Sequence, residues 1–235
     1  MSQRTDFIEQ IAPIIQQYCE AYGYKFPSAI IAQACIESGF GTSSLAWKYH
    51  NYFGIKWHRG CGRYAVNLKT NEEYVPGILT GITAGFMVGI TAGFMVGEDL
   101  EDGVAMYFQF LARNSRYANL KSATSAKHYC ELIKADGYAT SSTYVSTLLN
   151  CITQYNLQKY DGAAPEPTPV SYAAIIQASA LRVRTGPGIA YPIMEVAGHE
   201  FLLPRGMVIA VDAELYGWCR IAGIDGWASG EYLKH

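Results

Sequence analysis

The sequence predicts an α+β protein in two parts: a mainly helical part with a β-hairpin over residues 1–161, then a small all-β part over residues 174–235. Three observations predict this. Apolar residues recur at helical spacing through several segments of the first part. Between residues 57 and 97 the texture changes to alternating and glycine-rich stretches. Beyond a proline-rich segment the chain becomes a series of short strands and turns.

Residues 5–22 place Phe7, Ile8, Ile11, Ile14, Ile15 and Tyr18 on one face, giving an amphipathic first helix with Thr5 or Asp6 as its N-cap and Gly23 as its stop. Residues 29–36 are apolar all round except for Gln33. A helix with no solvent face is buried, so this one, opened by Pro27 and Ser28, is the central helix of its domain. Residues 42–49 read as a short third helix capped by Thr42 or Ser43. Alternation over residues 64–68 marks the first arm of a hairpin that turns near residues 69–72. Helices resume over residues 98–113, whose acidic start (Glu98, Asp99, Glu101, Asp102) suits the positive end of a helix. Two more follow over residues 125–135, closed by Gly137, and 141–155. Residues 162–173, with prolines and no periodicity, read as a semi-rigid linker. Strands are then expected over residues 180–184, 207–211, 217–221 and 226–228, with a turn at residues 185–188.

Residues 74–97 stand apart. They hold no charge, and the eight-residue unit GITAGFMV occurs there twice in tandem, with glycine at every fourth position from Gly77 to Gly97. The length and the small-residue face fit a membrane helix. Against that, each glycine costs a helix about 1 kcal/mol, and Ile, Thr and Val prefer strands. The favoured reading is the second arm of the hairpin, lengthened by a duplication whose even length keeps the inward and outward faces in register. Membrane contact by this segment is therefore not expected, whereas an uncharged arm with an open edge offers a surface for self-association.

Composition bounds the function. A net charge of −2 gives no sign of a nucleic-acid partner. The N-terminus mixes charges with helix-period apolar residues and reads as no secretory signal. The six cysteines are scattered without a CxxC pair and the histidines lack ligand spacing, so no metal, cofactor or disulfide framework is expected and free buried thiols are the default. A nucleophilic Cys35 paired with His50 is disfavoured, because apolar flanks raise a thiol's pKa. The 18 tyrosines exceed what a core needs and suit sugar binding.

Glu37 is the leading candidate for chemistry. It stands in the last turn of the central helix, just before Ser38 and Gly39, where the negative end of the dipole and apolar neighbours both disfavour its ionised form. A carboxylic acid kept protonated at a cleft edge is what a glycosidase needs to protonate a leaving oxygen.

The segments AQACIESGFGTSSLA and NYFGIK, followed by TNEEY, ARNSRY and GYAT…YNLQKYD, resemble the peptidoglycan glucosaminidases of glycoside hydrolase family 73 over residues 6–161. The resemblance implies a lysozyme-like helical domain with a β-hairpin lobe, hydrolysis of the β-1,4 bond after N-acetylglucosamine in peptidoglycan, and Glu37 as general acid. Glu73 on the hairpin is then the second carboxylate, with Glu72 as its rival, since strand register decides which faces inward. The substrate's own 2-acetamido group is an alternative nucleophile. Tyr138 in GYAT is the candidate for holding substrate or polarising the acid. Asn51 and Phe53 are expected to shape the turn and cleft floor, and Phe40 and Trp47 to offer faces for sugar stacking. Deleting one GITAGFMV copy restores the spacing expected of the family. The chain departs from some members where they carry an acid in the helix after the hairpin, since Met106 stands there.

The last part resembles bacterial SH3 (SH3b) domains through LRVRTGPG, Tyr191 and GWASGEYL, which implies binding to the wall polymer or its peptides. Together these imply an endolysin-like enzyme released from the cytoplasm, or an autolysin exported by a non-Sec route. A muramidase on the same fold and a non-catalytic wall-binding protein are the alternatives.

Overall fold

The computed structural model describes residues 2–58, 61, 63–67, 93–162 and 166–235. The chain forms two compact units, Met1–Gly162 and Ala163–His235.

The first unit is built around α2 (Pro27–Ser38), whose residues 27–35 are all buried. It is preceded by α1 (Gln3–Tyr22), which starts earlier than periodicity implied because Ser2, rather than Thr5 or Asp6, accepts the Thr5 amide. Gly23 ends α1 in the left-handed conformation, as expected. The residue before α2, Phe26, has no side chain to cap it. Asp161 supplies the cap from the far end of the unit, accepting from the Ser28 amide at 2.8 Å and the Ser28 hydroxyl at 2.7 Å. After α3 (Ser44–Tyr49, capped by Ser43), strands β1 (Ala65–Asn67) and β2 (Gly93–Met95) pair antiparallel with Val66 opposite Phe94. Lys56 forms an isolated antiparallel bridge with Phe94.

Helix α4 (Leu100–Arg113) is capped by Asp99 and pinned to the loop before β1 by a bidentate Arg63–Asp102 pair. Gly103 lets the turn after α3 press against α4, since a Cβ there would meet the His50 carbonyl oxygen at 2.0 Å. The remaining helices are α5 (Ala126–Ala135) and α6 (Tyr144–Gln154), and both pack on α2, as does α1.

The described part of the second GITAGFMV copy is strand β2, in agreement with the hairpin reading. The first copy, the hairpin turn and both Glu72 and Glu73 lie outside the described residues, as does most of the segment read for self-association or membrane contact. Among the described residues no helix is long and apolar enough to cross a membrane.

The second unit is all β. Its five-stranded antiparallel sheet runs β10 (Trp227–Ser229), β9 (Trp218–Ile221), β8 (Val208–Leu215), β3 (Thr168–Ile176) and β11 (Leu233–Lys234). Two further pairs join β4 (Ala180–Arg182) to β7 (Leu202–Pro204) and β5 (Glu195–Val196) to β6 (His199–Glu200). Strand β3 begins at Thr168, inside the stretch 162–173 read as linker. Pro169 is accommodated because the β3–β8 register shifts between Pro169 and Tyr172, and Ala174 and Ile176 beyond it point into the core.

Candidate active site

The sequence Glu37-Ser38-Gly39-Phe40-Gly41 ends α2 and turns the chain away sharply. Gly39, Phe40 and Gly41 all have positive φ, and Gly41 is close enough to Phe7 that a Cβ would meet its ring at 2.6 Å. Ser38 stabilises the turn by donating to the Ala34 carbonyl and accepting from the Gly41 amide at 2.7 Å. Glu37 is thereby left exposed at the helix end. Desolvation nevertheless raises its pKa above the ordinary glutamic acid value, and a hydrogen bond from Tyr144 opposes the rise only in part.

The donor to Glu37 is the hydroxyl of Tyr144, at 2.9 Å from Oε1. Oε1 is thereby occupied as an acceptor, and Oε2 has no hydrogen-bond partner among the described residues. Tyr138, expected to hold substrate or to polarise the acid, is half-buried. Its hydroxyl donates to the Phe53 carbonyl at 2.8 Å, while its ring stacks on Tyr144. It therefore supports the tyrosine that touches Glu37.

Asn51 and Phe53 are each 2% exposed, so they hold the floor in place and offer no surface to a ligand. The Asn51 amide donates to the carbonyls of Ile55 and Met95 and accepts from the Ile55 amide, each at 2.9 Å, stapling the NYFGIK turn to β2. Phe53 stacks on Tyr107 with ring centres 4.0 Å apart. Phe40 packs against Tyr155 and lies under the Arg4 guanidinium. Trp47 is 60% exposed, with the Lys48 ammonium 5.0 Å from its ring centre. Met106 is buried, so no acid occupies that position of α4.

All six cysteines are free and buried, as expected. The Cys35 thiol is pushed up by its hydrogen bond with Cys151 and by burial, which removes it as a nucleophile. Among the described residues no cluster of His, Cys, Asp or Glu is suited to a metal.

Residues 12–157 match the family described as mannosyl-glycoprotein endo-beta-N-acetylglucosaminidase. The chain belongs to this glucosaminidase family. It is 30% identical over 180 residues to exo-glucosaminidase LytG of Bacillus subtilis, across 75% of this chain and 60% of that protein. It is 32% identical over 164 residues to a probable N-acetylmuramidase of Lactococcus lactis subsp. cremoris, across 67% of this chain and 35% of that protein. The chain thus spans less than two thirds of the length of either relative.

The catalytic domain of the autolysin Auto from Listeria monocytogenes has a similar fold, with a TM-score of 0.51 and 23% identity over 68% of this chain and 88% of that one. A peptidoglycan hydrolase from Sphingomonas sp. A1 matches at a TM-score of 0.52 and 20% identity over 69% of this chain and 97% of that one.

Two groups of residues were missed in the sequence. Tyr144, Tyr107 and Tyr129 join Gln33 beneath Glu37, and Asp161 caps α2. The lone Gln33 in an apolar helix was the available signal for the first, since a buried amide requires partners. The uncapped Phe26-Pro27-Ser28 was the signal for the second.

Proposed function

We propose that the chain is a peptidoglycan hydrolase that cleaves the β-1,4 bond after N-acetylglucosamine, with Glu37 as general acid. The observation that carries this reading is a glutamic acid at the end of the buried helix of a glucosaminidase domain, its pKa raised by desolvation and one oxygen left to carry a proton. Glu37 Oε2 protonates the glycosidic oxygen as the bond breaks. The second role falls to Glu73, with Glu72 as rival, or to the 2-acetamido group of the substrate. Trp47 provides a stacking face for a sugar ring.

For the second unit the reading is an SH3b module that holds the enzyme on the wall. It is supported by the LRVRTGPG and GWASGEYL motifs, whose Arg184 and Trp227 exchange two backbone hydrogen bonds of 2.8 Å. Relatives named as a glucosaminidase and as a muramidase make the choice of bond the point to test.

Digestion of purified peptidoglycan, followed by borohydride reduction and mass spectrometry of the new ends, decides it. Reduced N-acetylglucosamine ends are expected from the wild type and not from Glu37→Gln. Reduced muramic acid ends would make the protein a muramidase, and wall binding without new ends would make it non-catalytic.

A further inference from the structure

Beneath Glu37 runs a chain of buried polar side chains drawn from four helices. Tyr144 of α6 donates to Glu37 Oε1, and Gln33 Nε2 of α2 donates to the Tyr144 hydroxyl at 3.1 Å. Tyr107 of α4 donates to Gln33 Oε1 at 2.6 Å, and its hydroxyl lies 3.1 Å from that of Tyr129 on α5. A phenol has one proton. Because Tyr107 gives its proton to Gln33, Tyr129 must be the donor to Tyr107. Every bond in the chain therefore points toward Glu37. Gln33, Tyr107 and Tyr129 are 0% exposed, so no substrate can touch them.

We propose that Tyr129, Tyr107 and Gln33 act through Tyr144 as positioning residues for Glu37, holding Oε1 as an acceptor so that the transferable proton is confined to Oε2. The role as acid rests on the hydrolase reading above, whereas the proton ordering does not. Hydrogen bonds linked in one direction polarise one another, so the effect reaches Glu37 from residues that never meet it. The opposite ordering needs the Gln33 amide turned over. It would send the Glu37 proton from Oε1 into Tyr144, away from a leaving group.

Other titratable groups near the chain are the thiols Cys35, Cys151, Cys130 and Cys19 and the phenols Tyr24 and Tyr138. Behind them the charges are Glu131 and Asp161, both acting on Cys130, Asp161 also acting on Cys19, and Arg4, acting on Cys151. Glu37 is the carboxyl in contact with the chain.

The test is the titration of the Glu37 side-chain carboxyl by carbon-13 NMR in the intact protein, together with the alkaline limb of kcat/KM on peptidoglycan fragments. In Tyr107→Phe, Gln33 Oε1 loses its donor and competes with Glu37 for the Tyr144 hydroxyl. The Glu37 midpoint should rise by about half to one pH unit, with the alkaline limb following it. Gln33→Met, which keeps the volume and removes the amide, should move it the same way by less and covers the case of a Tyr107 variant that does not fold.

Tyr24→Phe removes a hydroxyl whose ring packs against Tyr129 but is no member of the chain, and it should leave both readouts unchanged. A midpoint that stays put or falls in Tyr107→Phe overturns the proposal, the fall because it would mean the opposite proton ordering. A carboxyl midpoint that shifts as expected in a protein without hydrolytic activity would uphold the ordering and remove the hydrolase reading alone.

Discussion

Helix α2 meets a carboxylate at each end, and the two are held in opposite ways. At the N-terminus Asp161 receives two hydrogen bonds from Ser28, one on each oxygen, where the helix dipole favours negative charge. At the C-terminus Glu37 receives one hydrogen bond, where the dipole opposes negative charge. Desolvation raises the pKa of both, so burial alone does not distinguish them. The difference lies in what each oxygen is left to do. Asp161 has both oxygens committed to closing the helix, whereas Glu37 has Oε2 available.

The largest expected effect comes from removing the free end of that contrast. Glu37→Gln should lower turnover of peptidoglycan at least about a hundredfold, the size of a general-acid contribution. The same variant should be no less stable than wild type at neutral pH, and more so if anything. Because the folded pKa of Glu37 is raised, its contribution to stability is present below the ordinary glutamic acid range and lost as pH rises through the folded value. Thermal melts should therefore show the variant gaining on wild type toward neutral pH, with no gain in acid.

The floor under the site comes next. Asn51→Ala takes the side-chain amide from the Ile55 N–H and from the Ile55 and Met95 carbonyls, leaving the Ile55 carbonyl with the Met95 amide, and should cost about 2–3 kcal/mol in urea unfolding. At the other end of α2, Asp161→Ala removes the cap and should cost about 1–2 kcal/mol, with little change in kcat of the folded protein. A large loss of kcat with unchanged stability would erase the contrast between the two ends. The smallest effect is expected at Trp47. Its replacement by Ala should change stability by less than about 0.5 kcal/mol and raise KM about threefold to tenfold, consistent with one lost aromatic contact.

Much of the first unit was legible because periodicity and caps report directly on helices. Ala29 to Cys35 are buried as their all-round apolarity implied, whereas Ile36 at the helix end is 36% exposed, and Gly23 and Gly39 are the ends they were read as. Glu37 was singled out by its position at the end of that helix together with the family resemblance of the segment around it. The chain of tyrosines was not legible, because Tyr107, Tyr129 and Tyr144 come from three helices and their convergence is a property of packing. Tyr144 went unnoticed for the same reason, and the motif that holds Tyr138 does not reveal that its hydroxyl donates to the Phe53 carbonyl. Strand β3 was lost to its proline, since a linker and an edge with a bulge begin alike in composition.

The most direct test of the account is kcat/KM against pH for wild type and Glu37→Gln on the same soluble peptidoglycan fragments. With Glu37 as the acid, the wild-type alkaline limb lies above the ordinary glutamic acid range, and the residual rate of Glu37→Gln lacks that limb. A variant within tenfold of wild type that keeps the same limb would contradict it, and would place the proton donor elsewhere.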